Sequence, residues 1–132
     1  MNILLLEDDY GFRCRIKKDL VDAGFDVYDF KRIDLAKEYV NTKIDEIHCV
    51  IIDLNMDDEF LNEYRSEANG GLIAGWIFFI RYIYPLNPSM PTIIYSGVAE
   101  TIDTSSYSKV VFLDKAENNI KILISTINKL IK

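Results

Sequence analysis

A chain of 132 residues, 49% of them hydrophobic, fits one domain spanning 1–132 with a sizeable core. Its net charge of −6, with no predicted helix gathering Lys and Arg on one face, argues against direct contact with nucleic acid. No apolar run reaches membrane-spanning length, since Arg81 and Pro85 interrupt the nearest one at 72–86, and no signal-peptide pattern precedes the first strand.

Cys14 and Cys49 lack metal-type spacing, so a cytoplasmic location with both thiols reduced is expected. The lone histidine, His48, gives little support to Ser-His or Cys-His catalysis and reads as a structural residue.

In chain order, the apolar run 2–6 reads as a buried strand ending at Glu7-Asp8-Asp9. Phe12, Ile16 and Leu20 recur every fourth residue among Arg13, Arg15, Lys17 and Lys18, which predicts an amphipathic helix with those three turned inward. Gly24 stands where a left-handed C-cap is wanted. Residues 25–30 alternate apolar and acidic and predict a strand nearer the sheet edge. Asp34 is placed to cap a second helix that turns Leu35, Ala36, Tyr39 and Val40 inward.

The β-branched run 47–52 predicts a strand buried on both faces, in the middle of a parallel sheet. It ends at Asp53, either a simple turn residue or a group placed where open α/β sheets carry their chemistry. Residues 57–71 are long for a strand-to-helix connection and read as an insertion, holding either a short helix near 59–67 or solvated chain. Gly70-Gly71 introduces an apolar helix running to about Tyr84, with Ile73, Trp76, Ile77, Ile80 and Ile83 inside, stopped by Pro85, Pro88 and Pro91. Residues 92–95 predict a fourth strand ending at Ser96-Gly97, and 98–108 are Ser/Thr-rich and weakly helical. A fifth strand at 110–113 ends at Asp114-Lys115. A last helix over about 117–131 places Ile120, Leu123, Ile124, Ile127 and Ile131 at helical spacing.

Five strand–helix repeats with right-handed crossovers give a parallel sheet covered by helices on both faces. The strand ends then deliver Glu7, Asp8, Asp53, Ser96 and Lys115 to one edge. Clustered carboxylates repel unless a cation intervenes, and Mg²⁺ needs only one or two of them plus a carbonyl and waters. Asp8 and Asp53 are candidate side-chain ligands, Glu7 a holder of metal-bound water, and Asn55 a donor through its backbone carbonyl. The remaining oxygen of Asp53 can attack phosphorus to form an aspartyl phosphate. Lys115 and the Ser96 hydroxyl can meet the other phosphoryl oxygens.

With these residues in place, the chain resembles the CheY-like receiver domains of two-component response regulators over nearly all of its length. The family's acidic pair falls on Glu7 and Asp8, its phosphoacceptor on Asp53, its hydroxyl residue on Ser96, its lysine on Lys115 and its switch aromatic on Phe112. The resemblance implies a flavodoxin-like α/β fold with a doubly wound, five-stranded parallel sheet in strand order 2-1-3-4-5. It implies Mg²⁺-dependent transfer to Asp53 from a sensor histidine kinase or phosphotransfer protein. It implies no enzymatic turnover beyond self-phosphorylation and autodephosphorylation at Asp53. With no output domain expected, readout is expected through a downstream protein partner or a homodimer formed by the 97–131 face. Phe112 either packs as an ordinary core aromatic or turns inward once Ser96 moves toward the phosphoryl group.

The chain departs from the family pattern in the 57–71 insertion, in a thin segment where the family has a helix between its fourth and fifth strands, and in Ala116 where proline is usual. The missing proline predicts a trans bond after Lys115. Two rivals remain: a degenerate receiver acting as a phosphorylation-independent docking module, and a haloacid-dehalogenase-type phosphatase. The latter needs a second Asp where Asn55 stands. A dinucleotide site lacks its glycine-rich loop after the first strand.

Overall fold

The apolar runs become five parallel strands: β1 (Asn2–Leu6), β2 (Asp26–Phe30), β3 (Cys49–Ile52), β4 (Thr92–Ser96) and β5 (Val110–Asp114). The computed structural model describes residues 1–56, 73–97 and 102–132. The strands lie in the order β2-β1-β3-β4-β5, the doubly wound arrangement expected. β3 and β4 are buried along their whole length, while β2 and β5 form the edges and are partly open.

The period of two in each strand divides the core between the two faces. On one face, Leu4, Leu6, Val50 and Ile52 pack against Ile33, Ala36 and Val40 of α2 (Ile33–Lys43) and against the helix before β4. On the other, Ile3, Leu5, Cys49 and Ile51 pack against Ile16 and Leu20 of α1 (Tyr10–Asp22) and Leu123 and Ile127 of the last helix. Each fully buried aliphatic side chain stabilises the fold by up to about 1.5–3 kcal/mol.

Helix ends follow local chemistry. The Asp9 side chain accepts the Phe12 amide and caps α1, and Gly24 follows that helix with φ 99°. The helix before β4, α3, is α-helical over Ala74–Phe78 and continues as a π-helical turn over Phe79–Ile83, closed by Tyr84 N–H donating to the Phe79 carbonyl. The last helix, α4 (Ile120–Ile131), is capped by the Asn119 side chain. Among the described residues, no helix is long and apolar enough to cross a membrane.

Several expectations need correction. Phe12 is exposed and Arg13, on the supposedly polar face, is buried, because Arg13 donates to the Glu7 carbonyl and pairs with Asp29. α2 starts at Ile33, so Asp34 lies in its first turn and pairs with Arg32 instead of capping, and Leu35 faces outward. In α3, Gly75 lies against the Asp53 backbone and turns Ala74 and Phe78 to the sheet before the π turn begins. Ala74, Ile77, Phe78, Phe79 and Ile83 are the buried set, while Trp76 and Ile80 are half-buried. α4 begins at Ile120 because Asn119 supplies the cap there. β3 begins at Cys49, and His48 lies just before it, accepting the Asn2 amide at Nδ1 as a structural histidine. Between β4 and β5 the described residues 102–109 form turns without a helix. The 57–71 insertion lies outside the described residues.

Candidate functional site

The site is assembled by strand register. Leu6 pairs with Ile52, and the Asp53 amide donates to the Leu6 carbonyl at 3.0 Å, so Glu7 and Asp53 leave the sheet side by side. This is the point where the strand order reverses, with β2 on one side of β1 and β3 on the other, and open α/β sheets bind ligands at such points. On the far side, Ser96 pairs with Asp114, and the Lys115 amide donates to the Ser96 carbonyl at 3.0 Å. That register places Lys115 one residue beyond the sheet, level with the acidic ends of β1 and β3.

Glu7 is 1% exposed and Asp53 9%. Together with Asp8 they bring three carboxylates whose oxygens lie within 4.8 Å of one another. The Lys115 ammonium donates to Glu7 Oε1 and lies 3.5 Å from Asp53 Oδ2. Burial, and after it the charge of Asp53, pushes the Glu7 carboxyl up to about 7, against the opposing bond from Lys115. The Asp9 amide donates to Glu7 Oε2 at 3.3 Å, and the Arg13 guanidinium donates to the Glu7 carbonyl at 3.1 Å. The backbone carrying the carboxylate is thereby tied to α1.

These groups line an open cavity of about 520 Å³ bounded by Glu7, Asp8, Asp9, Phe12, Asp53, Asn55, Gly97, Lys115 and Ala116. Its donors are hard oxygens with no thiol or imidazole among them, which suits a divalent cation such as Mg²⁺.

The structure therefore brings together Glu7, Asp8, Asp53, Asn55 and Lys115. Ser96 ends β4 and is fully buried; its neighbour Gly97, not Ser96, reaches the cavity wall. Phe112 is half-buried in β5 and packs against the core on the α2 and α3 face. No described peptide bond is cis, so the bond after Lys115 is trans.

Sequence reasoning missed four contributors. Asp9 follows the acidic pair directly and caps α1. Phe12 reads as a core residue yet lines the cavity. Arg13 gives no sequence signal, because its partners are a backbone carbonyl and a residue of β2. Gly75 interrupts an apolar helical run, a pattern that marks close backbone approach. A Cβ there would stand 2.0 Å from the Asp53 carbonyl oxygen, and the Gly75 amide donates to Leu54 at 3.0 Å.

No protein-family model and no curated protein matches the chain. Solved structures do match it. A response regulator receiver protein from Sinorhizobium medicae WSM419 superposes with a TM-score of 0.76 at 22% identity, covering 99% of this chain and 94% of that one. A response regulator receiver domain protein from Clostridium thermocellum gives 0.77 at 20% identity, with 98% and 93% covered. The non-phosphorylated HemR receiver domain from Leptospira biflexa gives 0.76 at 19% identity, with 99% and 94% covered. The fold is that of CheY-like response regulator receiver domains. At these identities the likeness defines the fold alone, and the chemistry rests on the residues of the site.

Proposed function

We propose that the chain is a phosphoryl-accepting receiver of a cytoplasmic two-component phosphorelay, with Asp53 as the acceptor. The observation that carries this reading is the convergence of the Glu7, Asp8 and Asp53 carboxylates beside the Lys115 ammonium at the switch point of the sheet. A carboxylate so placed is a nucleophile with charge-stabilising groups already around it.

In this reading an Asp53 oxygen attacks the phosphorus of a phosphohistidine on a sensor kinase or phosphotransfer protein. The new P–O bond forms as the P–N bond breaks, and the bonding pair stays with the departing imidazole, which is reprotonated. Lys115 exchanges its bond to Glu7 for one to a phosphoryl oxygen, and the Ser96 hydroxyl turns toward another. Such bonds to a charged acceptor are about twice as strong as neutral ones. Asp8, Asp53 and the Asn55 carbonyl would hold Mg²⁺, with Glu7 acting through a water. When bound, that ion supplies the positive charge that a transferring phosphoryl group demands.

The aspartyl phosphate is later hydrolysed, so the protein resets itself and turns over no separate substrate. While the phosphoryl group is in place, movement of Ser96 and inward rotation of Phe112 alter the 97–131 face for a downstream protein or a second copy of the chain. Incubation with acetyl phosphate, with and without Mg²⁺, tests the reading. The expected product is an Mg²⁺-dependent protein phosphate that hydroxylamine cleaves, as it does an acyl phosphate. A label resistant to hydroxylamine would contradict it.

A further inference from the structure

We propose that Phe12 is a positioning residue for Lys115, its ring holding the ammonium over the carboxylates and shielding it from bulk water. The Lys115 Nζ lies 4.6 Å from the Phe12 ring centroid and 6.0 Å from that of Tyr95, both within cation–π range. Phe12 is 41% exposed, so its apolar ring gains little from core burial at this place. Its backbone is fixed where the ring must be, because the Asp9 carboxylate accepts the Phe12 amide at 2.9 Å and the Asp9 amide is itself bonded to Glu7.

Lys115 needs such a guide. Its ammonium is a point charge on a flexible four-carbon stem, which does not by itself fix where the charge rests. Two carboxylates, Glu7 and Asp53, draw the same ammonium, so charge alone does not decide where it rests. The Phe12 ring face, 4.6 Å from the ammonium, adds a third attraction from a fixed direction and covers that side of the ammonium against water. Arg15 places its guanidinium 5.9 Å from the same centroid, so an Arg15→Gln control separates the two cations.

The test compares wild type with Phe12→Leu and Phe12→Tyr by NMR of the Lys115 side chain, assigned through Lys115→Met. The ring should displace the Lys115 ε-methylene protons upfield. That displacement should be lost in Phe12→Leu and kept in Phe12→Tyr and Arg15→Gln, with backbone spectra otherwise unchanged. The kinetic consequence rests on the proposed function. Phosphorylation by acetyl phosphate at saturating Mg²⁺ should slow about two- to fivefold in Phe12→Leu and recover in Phe12→Tyr. Lys115 resonances that are the same in wild type and Phe12→Leu would overturn the proposal, as would a Phe12→Tyr variant that behaves like Phe12→Leu. If no variant, wild type included, takes up phosphate, the proposed function fails, and the NMR displacement still decides the role of Phe12.

Discussion

Asp53 is held from behind as well as beside. Its amide is bonded to Leu6, and the Gly75 backbone packs so closely that a methyl group there would stand 2.0 Å from its carbonyl oxygen. Gly75→Ala must therefore displace α3 or the strand end, and overpacking of this kind typically costs about 1–3 kcal/mol. Urea unfolding should show the loss as a lower midpoint with an unchanged slope; an unchanged midpoint would mean that the approach is looser than it stands. The two cysteines offer a simpler check. Cys14 is exposed, while Cys49 is fully buried and its thiol is pushed up to about 12 by that burial. A thiol reagent should label one cysteine in the native protein and both in denaturant; rapid native labelling of Cys49 would show β3 to be open. Glu7, Asp8, Asp53 and Lys115 were legible in the sequence because each ends an apolar run, and a parallel sheet brings strand ends together. Phe12 and Arg13 were not, because amphipathic spacing assumes that apolar residues turn inward and charged ones outward. Next to a buried carboxylate that rule reverses.

Elements were read most accurately where a single period runs through them, and least where it changes. β1, β4 and β5 emerged within a residue of their expected bounds, whereas in α3 the buried face differs from the expected one because Gly75 abuts the Asp53 backbone and the helix changes to a π turn at Phe79–Ile83. Helix α1 is bound to the edge strand β2 through Asp29, which pairs with Lys17 at 2.8 Å and Arg13 at 3.2 Å. Burial of Asp29 opposes ionisation, but the bond and charge of Lys17, with help from Arg13, hold its carboxyl below the ordinary value of 3.8. A folded pKa lowered in this way contributes stability that is present above the unfolded pKa and is lost as the pH falls through the folded one. Asp29→Asn should therefore be less stable than wild type at pH 7, by about 1 kcal/mol or less for a partly exposed pair. The difference should close as the pH drops below about 4. Urea midpoints across that range check the claim, and a gap that persists unchanged to pH 2 would assign the effect to packing instead of charge.

At the scale of the whole molecule, a parallel sheet covered on both faces followed from the strand–helix alternation and the handedness of its crossovers, while the strand order 2-1-3-4-5 followed from the resemblance to receiver domains. The Ser96 and Phe112 route came with the resemblance, but the contacts that tie the β4–β5 connection to α3 were not legible, because they depend on packing across the sheet edge. Tyr107, in the connection between β4 and β5, meets Trp76, Phe79 and Tyr84 edge-on at 5.0–5.5 Å, tying that connection to α3. Phe112 is half-buried on β5 and packs against the core on the same face. Beryllofluoride with Mg²⁺ should therefore slow hydrogen exchange across 102–115. Protection confined to 53–56 and 73–78 would place the response on α3 and away from the β5 face. The proposed function depends on Asp53 accepting a phosphoryl group. The direct measurement is intact mass after incubation with acetyl phosphate and Mg²⁺, for wild type and Asp53→Asn, with the modified residue mapped. Wild type should gain one phosphoryl group, located at Asp53, and Asp53→Asn none; equal labelling of the two proteins, or none on folded wild type, would contradict the proposed function.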